Sequence, residues 1–438
     1  MNFPGHEPNR PLKRVLTGPM LLLFILGDVL GAGVYALAGT IAGEVGGAIW
    51  IPLLIALCFA LLTAGSYAEL VTKYPHAGAA SVFAGKAFKS PLISFLIGFC
   101  MLAAGVTSAA GLSLAFAGDY LAAFISVDPH VAALSFLVVI ALLNARGITE
   151  SMWANIIMTV IEVSGLLLVV VAAGWYFNTG AADVSRALEF KPGVSPVYAV
   201  LGAALLAFYS FVGFETSANL AEEIRDVRNT YPKALFGALL IAGVVYVLVG
   251  VAAAAVLSVD ELTTSSAPLL EVVKRSGLAI PPLLFAFIAL IAVANGALLT
   301  MIMASRLTYG MARQELLPNV LSKVLPERRT PWVAILATSG VAAALTLTGS
   351  LEILAQTVVL LLLFVFISTN LAVLVLRKDV VAHDHYRVPS WVPVFAVASC
   401  LLLMTQQNSE TWLRAGSLLL VGVFLYGTTL ICRKRPNV

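Results

Sequence analysis

Twelve long apolar runs govern what this chain can fold into: 18–41, 47–70, 91–118, 129–145, 152–177, 196–220, 234–257, 281–304, 332–349, 352–376, 391–407 and 412–432. A helix rises about 1.5 Å per residue, so roughly 20 apolar residues cross a hydrocarbon core about 30 Å thick. The composition agrees, with 60% of the 438 residues apolar and 11% charged, against about 25% charge in a soluble domain. An aqueous globule of this length would lack polar surface. The expected class is therefore an all-α membrane protein with 12 transmembrane helices and short loops. Runs such as 358–365 are apolar on every side, which excludes the alternating strands of an outer-membrane barrel.

Orientation follows from where the positive charges sit. With a cytoplasmic N-terminus, all of the 26 Lys and Arg except Arg186, Lys191, Lys274, Arg275 and Arg414 fall on the cytoplasmic side. Both termini are therefore expected in the cytoplasm, as tails 1–16 and 433–438, with the chain multi-pass in the cell membrane. Arg10, Lys13 and Arg14 before the first run, and Ala36-Leu37-Ala38 within it, give it a signal-peptide look. Its length and the central Asp28 argue that it is retained as the first span. The net charge of +3 gives no reason to expect a nucleic acid partner. Cys58, Cys100, Cys400 and Cys432 show no CxxC spacing, and His6, His76, His130, His383 and His385 are scattered over loops and termini. Neither a disulfide framework, nor a metal site, nor a cofactor is expected.

Two runs carry helix-weakening features at their centres. The first reads Gly27-Asp28-Val29-Leu30-Gly31-Ala32-Gly33 and the sixth Phe208-Tyr209-Ser210-Phe211-Val212-Gly213-Phe214-Glu215. Each Gly costs about 1 kcal/mol relative to Ala inside a helix, and backbone groups freed in hydrocarbon need other protein groups or a ligand as partners. Small residues also serve close packing between helices. The placement favours a transport site, because interrupted helices at corresponding places in two halves are what an inverted repeat predicts. On that reading 17–177 and 196–376 are five-helix repeats with helices one and six broken, and 391–432 adds two helices. An unwound stretch offers N–H groups to a carboxylate and carbonyls to an ammonium, so an amino acid is the natural guest.

Several separated motifs resemble the amino acid, polyamine and organocation transporter superfamily. They are Gly27-Asp28-Val29-Leu30-Gly31-Ala32-Gly33-Val34-Tyr35, Tyr74-Pro75-His76-Ala77-Gly78, and Leu143-Asn144-Ala145-Arg146-Gly147. Further along come Phe211-Val212-Gly213-Phe214-Glu215 with Ala221-Glu222-Glu223 and Tyr231-Pro232, then Ser305-Arg306-Leu307-Thr308-Tyr309-Gly310-Met311-Ala312-Arg313 with Leu317-Pro318. The resemblance implies the five-plus-five inverted fold with two added helices, and uptake or exchange of amino acids or related amines by alternating access. It implies that the substrate carboxylate meets the N–H groups of Ala32 and Gly33 beside Gly31. The amine would meet the carbonyls of Val29, Tyr209 and Val212 beside Gly213, with Tyr209 as a gate. Tyr209 read alone is equally an ordinary buried aromatic.

Asp28, Glu162 and Glu215 lie within spans that contain no Lys or Arg. A charge at the centre of a membrane helix costs roughly 2.5–3.5 kcal/mol on insertion scales, and groups able to take up and release a proton suit proton coupling. Some proton-coupled members of the superfamily carry a Lys in span five where this chain has Glu162. The carboxylate could carry the proton, ligate a cation, or hydrogen-bond a neighbouring helix. Glu215 resembles the family's gate carboxylate, or it bonds free N–H groups of the restarting helix; Asp28 holds the broken region together or serves coupling. Asn295 lines the path or joins two helices. The rings at Phe208, Phe211 and Phe214 point to neutral or apolar guests.

The leading expectation is a proton-coupled amino acid permease, with an amine transporter or an exchanger of the same fold as alternatives. A channel or sensor that has kept the fold would bind without accumulating. A membrane enzyme is disfavoured, since no nucleophile–base set or HExxH pair occurs within the spans.

Overall fold

The computed structural model describes residues 16–31, 33–75, 79–146, 151–325, 328 and 330–433, with the backbone alone at 151–154 and 430–433. Ala32 lies outside the described residues, as do His6, His76 and the basic tail residues Arg10, Lys13, Arg14, Lys434 and Arg435. Cys432 and Arg433 are described by their backbone only. Among the described residues the structure is helical without strands, apart from isolated bridges joining Leu16 to Ile224 and Gly46 to Phe190.

In chain order the helices are α1 (Gly18–Leu30), α2 (Gly33–Val45), α3 (Trp50–Lys73), α4 (Ala79–Phe88), α5 (Pro91–Phe116), α6 (Asp119–Ala122), α7 (Pro129–Arg146) and α8 (Ser151–Asn178). The second half runs α9 (Pro196–Tyr209), a 3-10 helix Phe214–Glu223, α10 (Val227–Val256), α11 (Val259–Thr264), α12 (Pro268–Arg275), α13 (Pro282–Arg313), α14 (Trp332–Thr346), α15 (Leu351–Leu376), α16 (Trp391–Met404) and α17 (Ser409–Arg433). Helices α5, α9, α12 and α13 begin on proline, where the missing N–H leaves no bond unmade and φ is already helical.

Among the described residues, nine helical spans are long and apolar enough to cross a membrane, counting α9 with its 3-10 continuation as one. Helices α1 and α2 together make a tenth, bent by 40°. The apolar runs at 332–349 and 391–407 yield helices of only 15 and 14 residues, shorter than a bilayer crossing normally requires.

Helix α5 sits at the centre, packed against α13 and α15. Its buried face is rich in small residues, among them Gly98, Ala103, Ala104, Ala109, Ala110 and Gly111, which lets neighbouring backbones approach in the absence of a hydrophobic drive between helices. Helix α1 lies against α8 and α10, and α2 against α9. Where α3 and α15 end side by side, Arg377 donates to both oxygens of Glu69 at 2.8 and 2.7 Å, and the Val388 N–H donates to the same carboxylate at 3.0 Å. The Lys73 ammonium donates to the carbonyls of Leu376 and Asp379, both at 2.6 Å, satisfying acceptors left over at the end of α15. Glu69 is buried and the Arg377 side chain is 11% exposed, so removing Arg377 strands a buried carboxylate, at about 3–5 kcal/mol.

Segments without an apolar run also fold. Ser258 and Glu261 form a reciprocal cap at the start of α11, and Arg275 of α12 donates to Glu261 at 2.5 and 3.0 Å. The Arg275 guanidinium, with the N–H and hydroxyl of Ser258, holds the Glu261 carboxyl down at about 2 against an ordinary 4.5. The hairpin docks on α6 by a reciprocal pair: the Asp119 N–H donates to the Ser266 hydroxyl, and the Ser266 N–H donates to the Asp119 carboxylate, both at 2.9 Å.

Candidate functional site

The chain departs from helical geometry at two places that meet in space. Helix α1 stops at Leu30, Gly31 takes φ −14° and ψ −129°, and α2 restarts at Gly33. Helix α9 stops at Tyr209, and the 3-10 helix begins after Gly213, whose φ is +123°, a conformation that side chains disfavour. A Cβ on Gly33 would lie 2.5 Å from the Cα of Ser210, and one on Gly213 would lie 2.8 Å from the carbonyl oxygen of Asp28. Glycine at both points is what allows the two broken segments to touch.

Polar side chains hold the junction. Thr216 donates its hydroxyl to the Asp28 carboxylate. The Glu215 carboxylate accepts the Gly213 N–H at 2.9 Å, so of the two roles that the sequence left open for this residue, the local bond is present. The hydroxyl of Tyr246 on α10 is shared between the carbonyls of Val29, at 2.7 Å, and Ser210, at 3.1 Å. The Val29 carbonyl therefore has one of its two lone pairs engaged. The Tyr209 carbonyl accepts the Val212 N–H at 3.1 Å.

A cavity of about 500 Å³ opens against this junction, within the range usual for small-molecule sites. On one side it is lined by Asp28, Val29, Gly31, Gly33, Tyr209, Val212, Gly213, Glu215 and Thr216. On the other it is lined by α5, α13 and α15 through residues such as Ala104, Ser108, Thr300 and Leu362. The Tyr209 hydroxyl pairs with that of Ser108 at 3.0 Å, which fixes the ring across the cavity. It continues past Glu223 and Arg306 toward the end of the bundle where α13 terminates.

All the site residues expected from sequence therefore line one cavity, except Ala32, which lies outside the described residues, and Glu162. The rings of Phe208, Phe211 and Phe214 do not line it. Phe208 and Phe214 pack on Phe366, and Phe211 packs edge-on against Tyr246, so an apolar guest cannot be read from them. Ser108, Thr216 and Tyr246 went unnoticed in the sequence. No spacing distinguishes a hydroxyl that faces a cavity from one that bonds its own helix.

Glu162 is fully buried behind α1 rather than in the cavity. One of its oxygens accepts from the Asn295 amide of α13 at 3.0 Å, and that amide also donates to the side-chain oxygen of Asn155 at 2.9 Å. The Tyr35 hydroxyl donates to the backbone carbonyl of Glu162 at 3.0 Å. The second carboxyl oxygen of Glu162 and the amide nitrogen of Asn155 have no hydrogen-bond partner, which is uncommon for buried polar groups. Gly27 of α1 lies directly against Thr159 and Asn155, so this polar cluster adjoins the first break. Among the described residues no group of His, Cys, Asp and Glu is placed to hold a metal ion.

Residues 16–420 match the model of a family described as amino acid permease. A Mycobacterium tuberculosis (strain ATCC 25618 / H37Rv) protein named as an uncharacterized transporter is 31% identical over 416 residues, covering 94% of this chain and 90% of the relative. The branched-chain amino acid permease BcaP of Bacillus subtilis (strain 168) is 26% identical over 440 residues, covering 95% and 93%. The vacuolar cationic amino acid transporter 2 of Arabidopsis thaliana is 31% identical over 409 residues, covering 88% of this chain and 63% of the relative.

Proposed function

This chain belongs to the amino acid permease family, and we propose that it carries amino acids across the cytoplasmic membrane by alternating access, coupled to protons. The observation that carries the reading is the meeting of the two backbone breaks at a cavity wall. The substrate carboxylate takes the N–H of Gly33 at the start of α2, where the helix dipole is positive, together with that of Ala32, as the sequence motif implies. The ammonium takes the carbonyls of Val29, Tyr209 and Val212, and Tyr209, anchored on Ser108, closes over the guest. A zwitterion fits better than a diamine, because a guest without a carboxylate would leave the N–H groups at the first break without their partner.

In this reading α14 and α16 complete twelve spans, the repeats are 17–177 and 196–376, and 391–432 stands outside them. Both termini are cytoplasmic, so the cavity, which extends toward the end of α13, faces inward. Glu162 carries the coupling proton on its unpartnered oxygen, which removes the charge from a buried site, and its contact with Asn295 passes the change to α13. Asp28 and Glu215 respond through the junction they hold together. Names among the relatives, branched-chain amino acid permease and cationic amino acid transporter, fit amino acids as the substrate class.

The test is uptake by purified protein in sealed vesicles with an imposed pH gradient, acid outside. Amino acid accumulation above the external concentration supports the reading. Equilibration without accumulation points to a channel or uncoupled carrier, and accumulation of putrescine in place of amino acids to the amine alternative.

A further inference from the structure

On the reading that the cavity holds an amino acid, we infer that its side-chain compartment selects aliphatic and thioether side chains and excludes cationic ones. The backbone polarity of the site lies on the α1 and α9 wall, so a guest held there by its carboxylate and ammonium directs its side chain at the opposite wall. The part of that wall given by α5 and α15 carries Met101, Ala104, Leu112, Val358 and Leu362. All five are apolar and come from two helices packed against each other. The two hydroxyls beside this wall, Ser108 paired with Tyr209 and Thr300 donating to the Gly296 carbonyl at 2.7 Å, are neutral and supply no counter-charge.

Four charged residues line the cavity, and none serves a cationic side chain at this wall. Asp28 and Glu215 lie with the backbone breaks on the α1 and α9 wall, where the guest's own carboxylate and ammonium are held. Glu223 and Arg306, of opposite sign, stand together at the far end. A lysine or arginine head at the α5–α15 wall would lose its hydration without gaining a counter-charge, whereas a leucine or methionine side chain gains by leaving water. Ala104, beside Gly105, sets the room available, since larger residues there would fill the compartment.

The inference is tested by the thermal unfolding midpoint of the purified chain titrated with leucine, methionine, alanine, lysine, arginine and putrescine. Leucine and methionine are expected to raise the midpoint at concentrations at least about tenfold lower than alanine does, the range that methylene groups supply in an apolar pocket. Lysine, arginine and putrescine are expected to leave it unchanged. Lysine or arginine acting as well as leucine overturns the inference and leaves amino acid carriage standing. A response to putrescine alone, or to none of the six, overturns the amino acid reading and the inference with it. In Ala104→Val the ratio of leucine to alanine response is expected to fall, and in Leu362→Asp a lysine response is expected to emerge. The ligand-free midpoint reports whether each variant folds, and should Leu362→Asp fail to fold, Ala104→Val decides. An unchanged ratio in folded Ala104→Val contradicts the assignment of this wall.

Discussion

The hydroxyl of Thr216 donates to the carboxylate of Asp28, 188 residues away in the chain, and so joins the two backbone breaks. Gly213 lies against the Asp28 carbonyl and Gly33 against Ser210, so the two discontinuities form one junction. A change at either break must therefore be felt at the other. That is the physical basis for treating them as a single binding element.

Thr216→Val keeps the shape of the side chain and removes its donor, leaving the Asp28 carboxylate short of a partner. The loss is expected to be about 1.5–3 kcal/mol, the worth of a hydrogen bond to a charged group. It is read as a lower thermal unfolding midpoint in detergent, with Thr216→Ser close to the native protein. Equal midpoints for all three would mean that the bond contributes nothing.

Gly213→Ala meets two obstacles, the positive φ of +123° and the 2.8 Å approach of its Cβ to the Asp28 carbonyl oxygen. Destabilisation by more than about 1 kcal/mol is expected, accompanied by loss of uptake in vesicles as the junction opens. Gly174, where an added Cβ meets nothing, is the control, and its alanine variant should transport normally. Normal uptake by Gly213→Ala would show that the close contact is dispensable.

Glu162→Gln preserves the hydrogen bond from Asn295 and abolishes titration. Uptake driven by a pH gradient is expected to vanish while exchange of internal for external substrate continues, since the cavity residues are untouched. The two assays on one vesicle preparation separate coupling from binding, and pH-driven accumulation at the native level would reject the role given to this carboxyl.

The α11–α12 hairpin should loosen in acid. Because the folded-state value of Glu261, about 2, lies below its ordinary 4.5, the stability it contributes is complete above pH 4.5 and is lost as pH falls through that window toward 2. Amide protection across 258–275, measured relative to the intrinsic exchange rate at each pH, is expected to fall over that interval, and Glu261→Gln should show the lowered protection already at neutral pH. Protection independent of pH in the native chain would contradict it.

The helices were legible because apolarity is a property of sequence alone, as the run 91–118 and α5 at Pro91–Phe116 illustrate. The breaks were legible for the same reason: Gly33 and Gly213 interrupt apolar runs. What they touch was not, since contact between Gly33 and Ser210 exists only after folding. A phenylalanine within a span reads identically whether it faces a cavity or the interior, which is why Phe208, Phe211 and Phe214 misled. The hairpin at 259–275 was missed because it is short and amphipathic, although Ser258 with Glu261 three residues on is a recognisable helix start. Glu162 stood out as a buried carboxylate, but its partner Asn295 is 133 residues away in the chain, and only the packing of α8 on α13 brings it to Glu162 and Asn155.

The central claim is that the paired breaks grip both ends of a zwitterion. It is tested most directly by competition against labelled leucine uptake in vesicles, using unlabelled leucine, 4-methylpentanoate, which lacks the amine, and isoamylamine, which lacks the carboxylate. The account predicts competition by leucine alone. Competition by isoamylamine or 4-methylpentanoate at the concentrations that suffice for leucine would contradict it.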